Sequence, residues 1–173
     1  MSERTEDDPR DISQDRKICF RPITEEDVDF LYHVYASTRQ AEMSATGWSE
    51  AQVEAFLKMQ FRLQHTQYIQ NYSNASFDII LIDGIPAGRL YVDQKDNTMR
   101  IIDITLLPEF RGKGVGSRIM KKLVAQADAK GLVMSLHVEM NNPVLPFYKS
   151  LGFEERELRG IYYYMEREVM RAR

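Results

Sequence analysis

Between residues 99 and 139 the apolar period of the chain changes twice around one glycine-rich turn, and few folds accommodate that order. Ile102, Ile104 and Leu106 alternate with Asp103 and Thr105, the spacing of a strand with one buried face. Arg111-Gly112-Lys113-Gly114-Val115-Gly116 follows. Val115, Ile119, Met120, Leu123, Val124 and Ala127 then recur at helical spacing, and Lys130-Gly131 supplies a basic last turn and a C-cap glycine. Met134, Leu136 and Val138 return to alternation with Ser135, His137 and Glu139. Strand, helix and strand in that order imply a right-handed crossover and therefore one parallel pair.

The rest of the chain reads as antiparallel. Phe77, Ile79 and Leu81 alternate with Asp78, Ile80 and Ile82, Asp83-Gly84 marks a tight turn, and a further strand runs over about 87–93 to a turn at Asp96-Asn97. Upstream, Lys17 to Arg21 is a short strand ended by Pro22. Thr24 with Asp27 caps a helix carrying Val28, Leu31, Tyr32 and Tyr35, and Ser49 with Gln52 caps a longer one carrying Val53, Phe56, Leu57 and Phe61. Downstream, Asn141-Asn142-Pro143 breaks the chain before a short helix from Val144 to Leu151. Two strands follow, near Phe153 to Leu158 and Ile161 to Glu166. The expected fold is α+β: a twisted, mostly antiparallel sheet of about seven strands with one parallel pair, flanked by about four helices. Residues 1–16 read as a disordered tail poor in apolar side chains, and 17–173 as one domain.

Composition narrows the function. The chain has 173 residues and a net charge of -3, so no general basic surface points to nucleic acid or an anionic membrane. Cys19 is the only cysteine, which rules out an internal disulfide. The chain lacks both a signal-peptide pattern and a run apolar enough to span a bilayer, so a cytoplasmic location is expected. His33, His65 and His137 make no metal-ligand spacing, and no Gly-x-Ser-x-Gly elbow is present.

The glycine turn carries the chemistry. Glycines at 112, 114 and 116 allow tight turning and close approach to a ligand, and they open a helix whose free N–H groups and dipole favour an anion. With Arg111, Lys113 and Arg118 this is a seat for a diphosphate. The turn lacks the Gly-Lys-Ser/Thr ending of a nucleotide P-loop. It is nearer a dinucleotide-binding turn, with Glu139 where a ribose-binding acid would lie, but it follows antiparallel hairpins instead of opening a run of βα units.

Two segments together resemble the GNAT superfamily of N-acetyltransferases. Leu107-Pro108-Glu109-Phe110-Arg111-Gly112-Lys113-Gly114-Val115-Gly116 resembles its Arg/Gln-x-x-Gly-x-Gly/Ala loop, and Asn142-Pro143-Val144-Leu145-Pro146-Phe147-Tyr148-Lys149-Ser150-Leu151-Gly152-Phe153 resembles its Asn…Tyr…Gly-Phe segment. The resemblance implies a GNAT-like fold whose parallel strands splay at a cleft for acetyl-coenzyme A. The pantetheine arm is then expected along the exposed strand backbone and the diphosphate on the N–H groups of Arg111 to Gly116. The implied contacts are Leu106, Leu107, Arg111, Gly112, Lys113, Gly114, Val115, Gly116, Ser117 and Phe147, with either Asn141 or Asn142 on the pantetheine.

The resemblance implies acetyl transfer to a primary amine of a small molecule or protein, and a monomer or homodimer. Tyr148 would stand at the thioester sulfur as the proton donor. Glu139 and Asp103 are the candidate bases, ahead of His137, because both lie on strands bordering the cleft. Glu42, Trp48, Arg62 and Tyr162 are candidates for the acceptor pocket, where a carboxylate and aromatic rings suit a cationic amine. A catalytically silent coenzyme A-binding module and a dinucleotide-binding enzyme are the alternatives.

Overall fold

The computed structural model describes residues 16–171. Seven strands form one sheet in the order β1-β2-β3-β4-β5-β7-β6. The strands are β1 (Ile18–Pro22), β2 (Ser76–Ile82), β3 (Ile85–Lys95), β4 (Thr98–Leu106), β5 (Val133–Glu139), β6 (Glu154–Arg159) and β7 (Tyr162–Arg167). Every neighbouring pair is antiparallel except β4 with β5. Five helices accompany the sheet: α1 (Val28–Ser37), α2 (Gln40–Ser44), α3 (Glu50–Asn71), α4 (Val115–Lys130) and α5 (Leu145–Ser150). The helix beyond the four expected is α2, a single turn with no buried residue and so no apolar period to announce it. The tail expected over residues 1–16 lies outside the described residues except for Arg16, whose carbonyl accepts a hydrogen bond from Arg118 Nη1 at 2.8 Å.

Each face of the sheet has its own core. On one, Ile119, Met120, Leu123 and Ala127 of α4 pack with Met99, Ile101, Met134 and Leu136 of the central strands and with Tyr148 and Phe153. On the other, Leu31 and Tyr35 of α1 and Leu57 and Phe61 of α3 close over Ile79 and Tyr91. Val28 stands exposed outside the helical stripe expected for α1. The entry to α1 is fixed by charge: Asp27 accepts from both Arg21 guanidinium Nη atoms, at 2.8 and 2.9 Å, and from the Thr24 N–H at 2.8 Å. These bonds hold the Asp27 carboxyl down at about 2, below the ordinary aspartate value.

One irregularity shapes β4. Its register with β3 slips between Tyr91/Asp103 and Val92/Ile101, leaving Ile102 as an extra residue. A bulge of this kind reverses the side-chain alternation beyond it and bends the strand. Ile102 therefore packs with the α1–α3 core while Ile104 and Leu106 pack with the α4 core, which corrects the expectation that the three share a face.

Past the bulge, β3 and β4 approach so closely at Gly88 that a Cβ there would lie 2.1 Å from the Thr105 carbonyl oxygen and 2.9 Å from the Leu106 Cα. Backbone cannot swing away as a flexible side chain does. Gly88→Ala is therefore expected to cost about 1–3 kcal/mol in urea unfolding. An unchanged midpoint and slope would show that β4 has freedom to move here.

Candidate active site

β4 and β5 pair only where Thr98–Ile101 faces Val133–Leu136. Beyond that point β4 runs on to Leu106 paired with β3 alone, and β5 runs on to Glu139 paired with β7 alone. The two facing edges diverge as a fork. On the α4 side is a compartment of about 880 Å³ lined by Leu106, Arg111, Gly112, Gly116, Ser117, Met120 and Phe147, among others. On the other side is one of about 250 Å³ that includes Arg39, Arg89, Asp103, His137, Glu139 and Tyr162. Thr38, Ile104, Thr105, Asn142 and Tyr148 line both, so the two meet at the mouth of the fork.

The larger compartment carries the anion seat. Gly112 and Gly114 adopt φ of 71° and 79°, conformations that favour glycine, and Gly114 caps α4. Gly116 has no positive φ; it lies in the first turn of α4 and leaves that wall open. The first backbone bond of the helix is Arg118 N–H to the Gly114 carbonyl at 3.0 Å. The amides of Val115, Gly116 and Ser117 therefore point outward with no acid in the first turn to receive them. The Arg111 N–H is not part of this set, because it donates to the Pro108 carbonyl at 3.2 Å. The Arg111 side chain instead bridges the Leu106 carbonyl at 2.8 Å and Ser37 Oγ at 3.1 Å, across the mouth of the fork.

Tyr148 is 8 % exposed and stands on the boundary. Its hydroxyl makes no hydrogen bond among the described residues. Burial, and secondarily the charge of Asp103, pushes the phenol up from its ordinary value, so it is protonated at neutral pH. Asp103 is engaged: it accepts from Arg89 Nη2 and from the Thr105 hydroxyl, both at 2.6 Å. Arg89 is itself buried, and its Nη2 also reaches Gln64 Oε1 of α3 at 3.0 Å. His137 Nε2 lies 3.2 Å from Arg159 Nη1, and a guanidinium only donates, so that nitrogen accepts. Burial first, then the charges of Arg100 and Arg159, hold the imidazole below its ordinary value and neutral. Glu139, at the exposed end of β5, has no ion pair among the described residues.

Several residues singled out in the sequence lie elsewhere. Leu107 turns its N–H to the Ala87 carbonyl of β3, and Val115 buries its side chain in the α4 core. Lys113, Gly114 and Asn141 line neither compartment, whereas Asn142 lines both and caps the next turn by accepting from the Val144 N–H at 3.0 Å. Of the acceptor candidates only Tyr162 lines the smaller compartment. Glu42 is ion-paired with Arg39 at 3.1 Å on exposed α2. Trp48 packs edge-on against Phe56 in a separate groove behind α1 and α2, and Arg62 is exposed on α3. The residues not anticipated are Thr38, Arg39, Gln64 and Arg89. Arg89 left a trace, a charge inside the apolar run from Ala87 to Val92.

Residues 29–153 match the family model described as the acetyltransferase (GNAT) family. An uncharacterized N-acetyltransferase of Methanocaldococcus jannaschii is 27% identical over 112 residues, 60% of this chain and 50% of that protein. The [ribosomal protein bS18]-alanine N-acetyltransferase of Haemophilus influenzae is 33% identical over 64 residues, 36% of this chain and 44% of that protein. The chain thus spans about half the length of these curated relatives. Among solved structures, the PaiA N-acetyltransferase of Thermoplasma acidophilum in complex with coenzyme A superposes with a TM-score of 0.64 at 21% identity, covering 88% of this chain and 99% of that one.

The Arg89–Asp103 pair joins β3 to β4 at the wall of the fork. Removing one member strands a buried charge, so Asp103→Asn is expected to cost about 3 kcal/mol in urea unfolding. The double variant Arg89→Met/Asp103→Leu, which removes both charges, is expected to recover much of that. A single variant as stable as the parent would show that water reaches the guanidinium.

Proposed function

The chain belongs to the acetyltransferase (GNAT) family, and from that premise we propose that it moves the acetyl group of acetyl-coenzyme A to a primary amine of a small molecule or protein. The observation that carries this reading is the fork. An unpaired strand edge and the open first turn of α4, at Gly116 and Ser117, border one compartment, with a buried phenol where that compartment meets a second. An amide-bearing chain pairs with such an edge as an added strand would, and a diphosphate is held by such a helix end. The compartment's size and mixed lining suit a long, partly apolar arm with a charged end.

When bound, acetyl-coenzyme A supplies a thioester whose carbonyl carbon the amine attacks. The side chains here divide the proton work. Tyr148, uncharged and unbonded at the junction, gives its hydroxyl proton to the departing sulfur. Glu139 takes the proton released by the amine, directly or through water; it faces the smaller compartment unpaired, while Asp103 is tied to Arg89 and His137 to Arg159. Asn142 holds the pantetheine in this reading, which is supported by its lining the larger compartment where Asn141 does not. Arg111 leaves the Leu106 carbonyl free by turning to the diphosphate. Tyr162 borders the amine's approach. The dinucleotide-binding alternative needs successive parallel βα units, and this sheet has one parallel pair. One relative is named for acetylating the alanine of a ribosomal protein, so peptides with free amino termini belong among the acceptors tried.

Tyr148→Phe is expected to lower kcat about 100-fold while the affinity for acetyl-coenzyme A, read by calorimetry, stays within about threefold. Unchanged turnover would remove Tyr148 from the proton path. Failure of the parent protein to bind acetyl-coenzyme A at millimolar concentration would remove the proposal itself.

A further inference from the structure

All but one of the arginines on the strands are ion-paired with a carboxylate. Arg21 pairs with Asp27, Arg89 with Asp103, Arg156 with Glu154, Arg159 with Glu157 and Arg167 with Asp128, at 2.6–3.2 Å. Arg100 of β4 is the exception among the described residues. Its contacts are neutral: Ser135 Oγ at 3.4 Å, Tyr72 Oη at 3.3 Å and the ring of Tyr164 at 6.0 Å. It lines a pocket of about 330 Å³ on the face of β4, β5 and β7 opposite α4. Lys95 lines the same pocket, as do Asp93, the cross-strand partner of Arg100, and Glu166, which accepts from the Tyr164 hydroxyl at 2.8 Å; neither carboxylate is ion-paired with Arg100 among the described residues. A half-buried guanidinium with no ion pair among the described residues retains its capacity for an anion, and its planar fork suits a carboxylate.

This pocket adjoins the smaller compartment of the fork. Tyr164, which lines it, packs its ring at 5.2 Å and a tilt of 46° against His137, which lines that compartment, and the two residues are cross-strand partners. Glu139 and Ser135 are four residues apart on one strand face, about 13 Å at roughly 3.3 Å per residue. That span exceeds a free amino acid and matches an extended peptide of three or four residues.

Resting on the acetyl-transfer reading, we infer that the acceptor is a polypeptide amino terminus with an acidic side chain at its third or fourth residue, and that Arg100, between Tyr72 and Tyr164, seats that carboxylate. The peptide then runs along β5 and β7 over Arg159, which lies against His137 and the Tyr164 ring, with its amine beside Glu139 and its acid at Arg100.

The test compares hexapeptides with free amino termini that carry Glu or Gln at the third or fourth residue, together with a short neutral amine. The parent protein is expected to favour a Glu peptide about tenfold in kcat/KM, with the preference fading as salt rises. Arg100→Gln is expected to abolish the preference by lowering the Glu peptide alone. Arg100→Lys should retain part of it, and the neutral amine should be used within about twofold of the parent rate. Equal use of Glu and Gln peptides by the parent, or an equal fall for both in Arg100→Gln, overturns the anion seat and leaves acetyl transfer standing. Binding of acetyl-coenzyme A without acetylation of any acceptor overturns both. The parent comparison decides the matter even if the Arg100 variants unfold.

Discussion

The site exists because one backbone pairing stops early. After Ile101 and Leu136, β4 and β5 no longer share hydrogen bonds, and peptide groups inside a folded protein face open space. Such groups are costly to bury unpaired, so the fork is stable only if water or a ligand meets them. The bulge at Ile102 falls where the pairing ends and bends β4 away from β5. Gly88 lets β3 follow that bend at close backbone contact. Tyr148 of α5 stands on the boundary of the space created, so its position too depends on the divergence of the strands.

Charge then assigns roles to groups that look alike in composition. Asp103 and Glu139 both face the smaller compartment, yet buried Arg89 claims only the first. Held by that pairing, Asp103 braces the wall, and its charge, after burial, helps keep the Tyr148 phenol protonated. His137 is likewise occupied by Arg159. The pattern leaves Glu139 in the smaller compartment with no ion pair, and Tyr148 at the junction with no hydrogen bond, among the described residues.

Much of this frame was legible in the residues. Strand and helix periods are local properties, and the order strand, glycine turn, helix, strand forces the parallel pair. The capping pairs Thr24 with Asp27 and Ser49 with Gln52 mark true helix entries because a side chain bonds backbone three residues away. What escaped reading depends on tertiary direction. An alternating pattern conceals a bulge, so alternation alone puts Ile102 on the face of Ile104 and Leu106. The face that α3 and the α1–α2 segment turn toward the sheet is decided by packing, which sends Trp48 into a groove of its own, leaves Arg62 exposed, and brings Arg39, Gln64 and Thr38 to the cleft instead. The pairing of Asp103 was invisible because its partner Arg89 lies on another strand.

The central claim is that the open edge of β4 is the surface on which the pantetheine arm is held. Amide hydrogen exchange measured residue by residue, with and without acetyl-coenzyme A, addresses it directly. The account expects slowed exchange in two places together: the β4 amides facing β5 between Ile102 and Leu106, and the α4 amides of Val115, Gly116 and Ser117. Protection at the helix end with none along β4, or protection on neither, would contradict it.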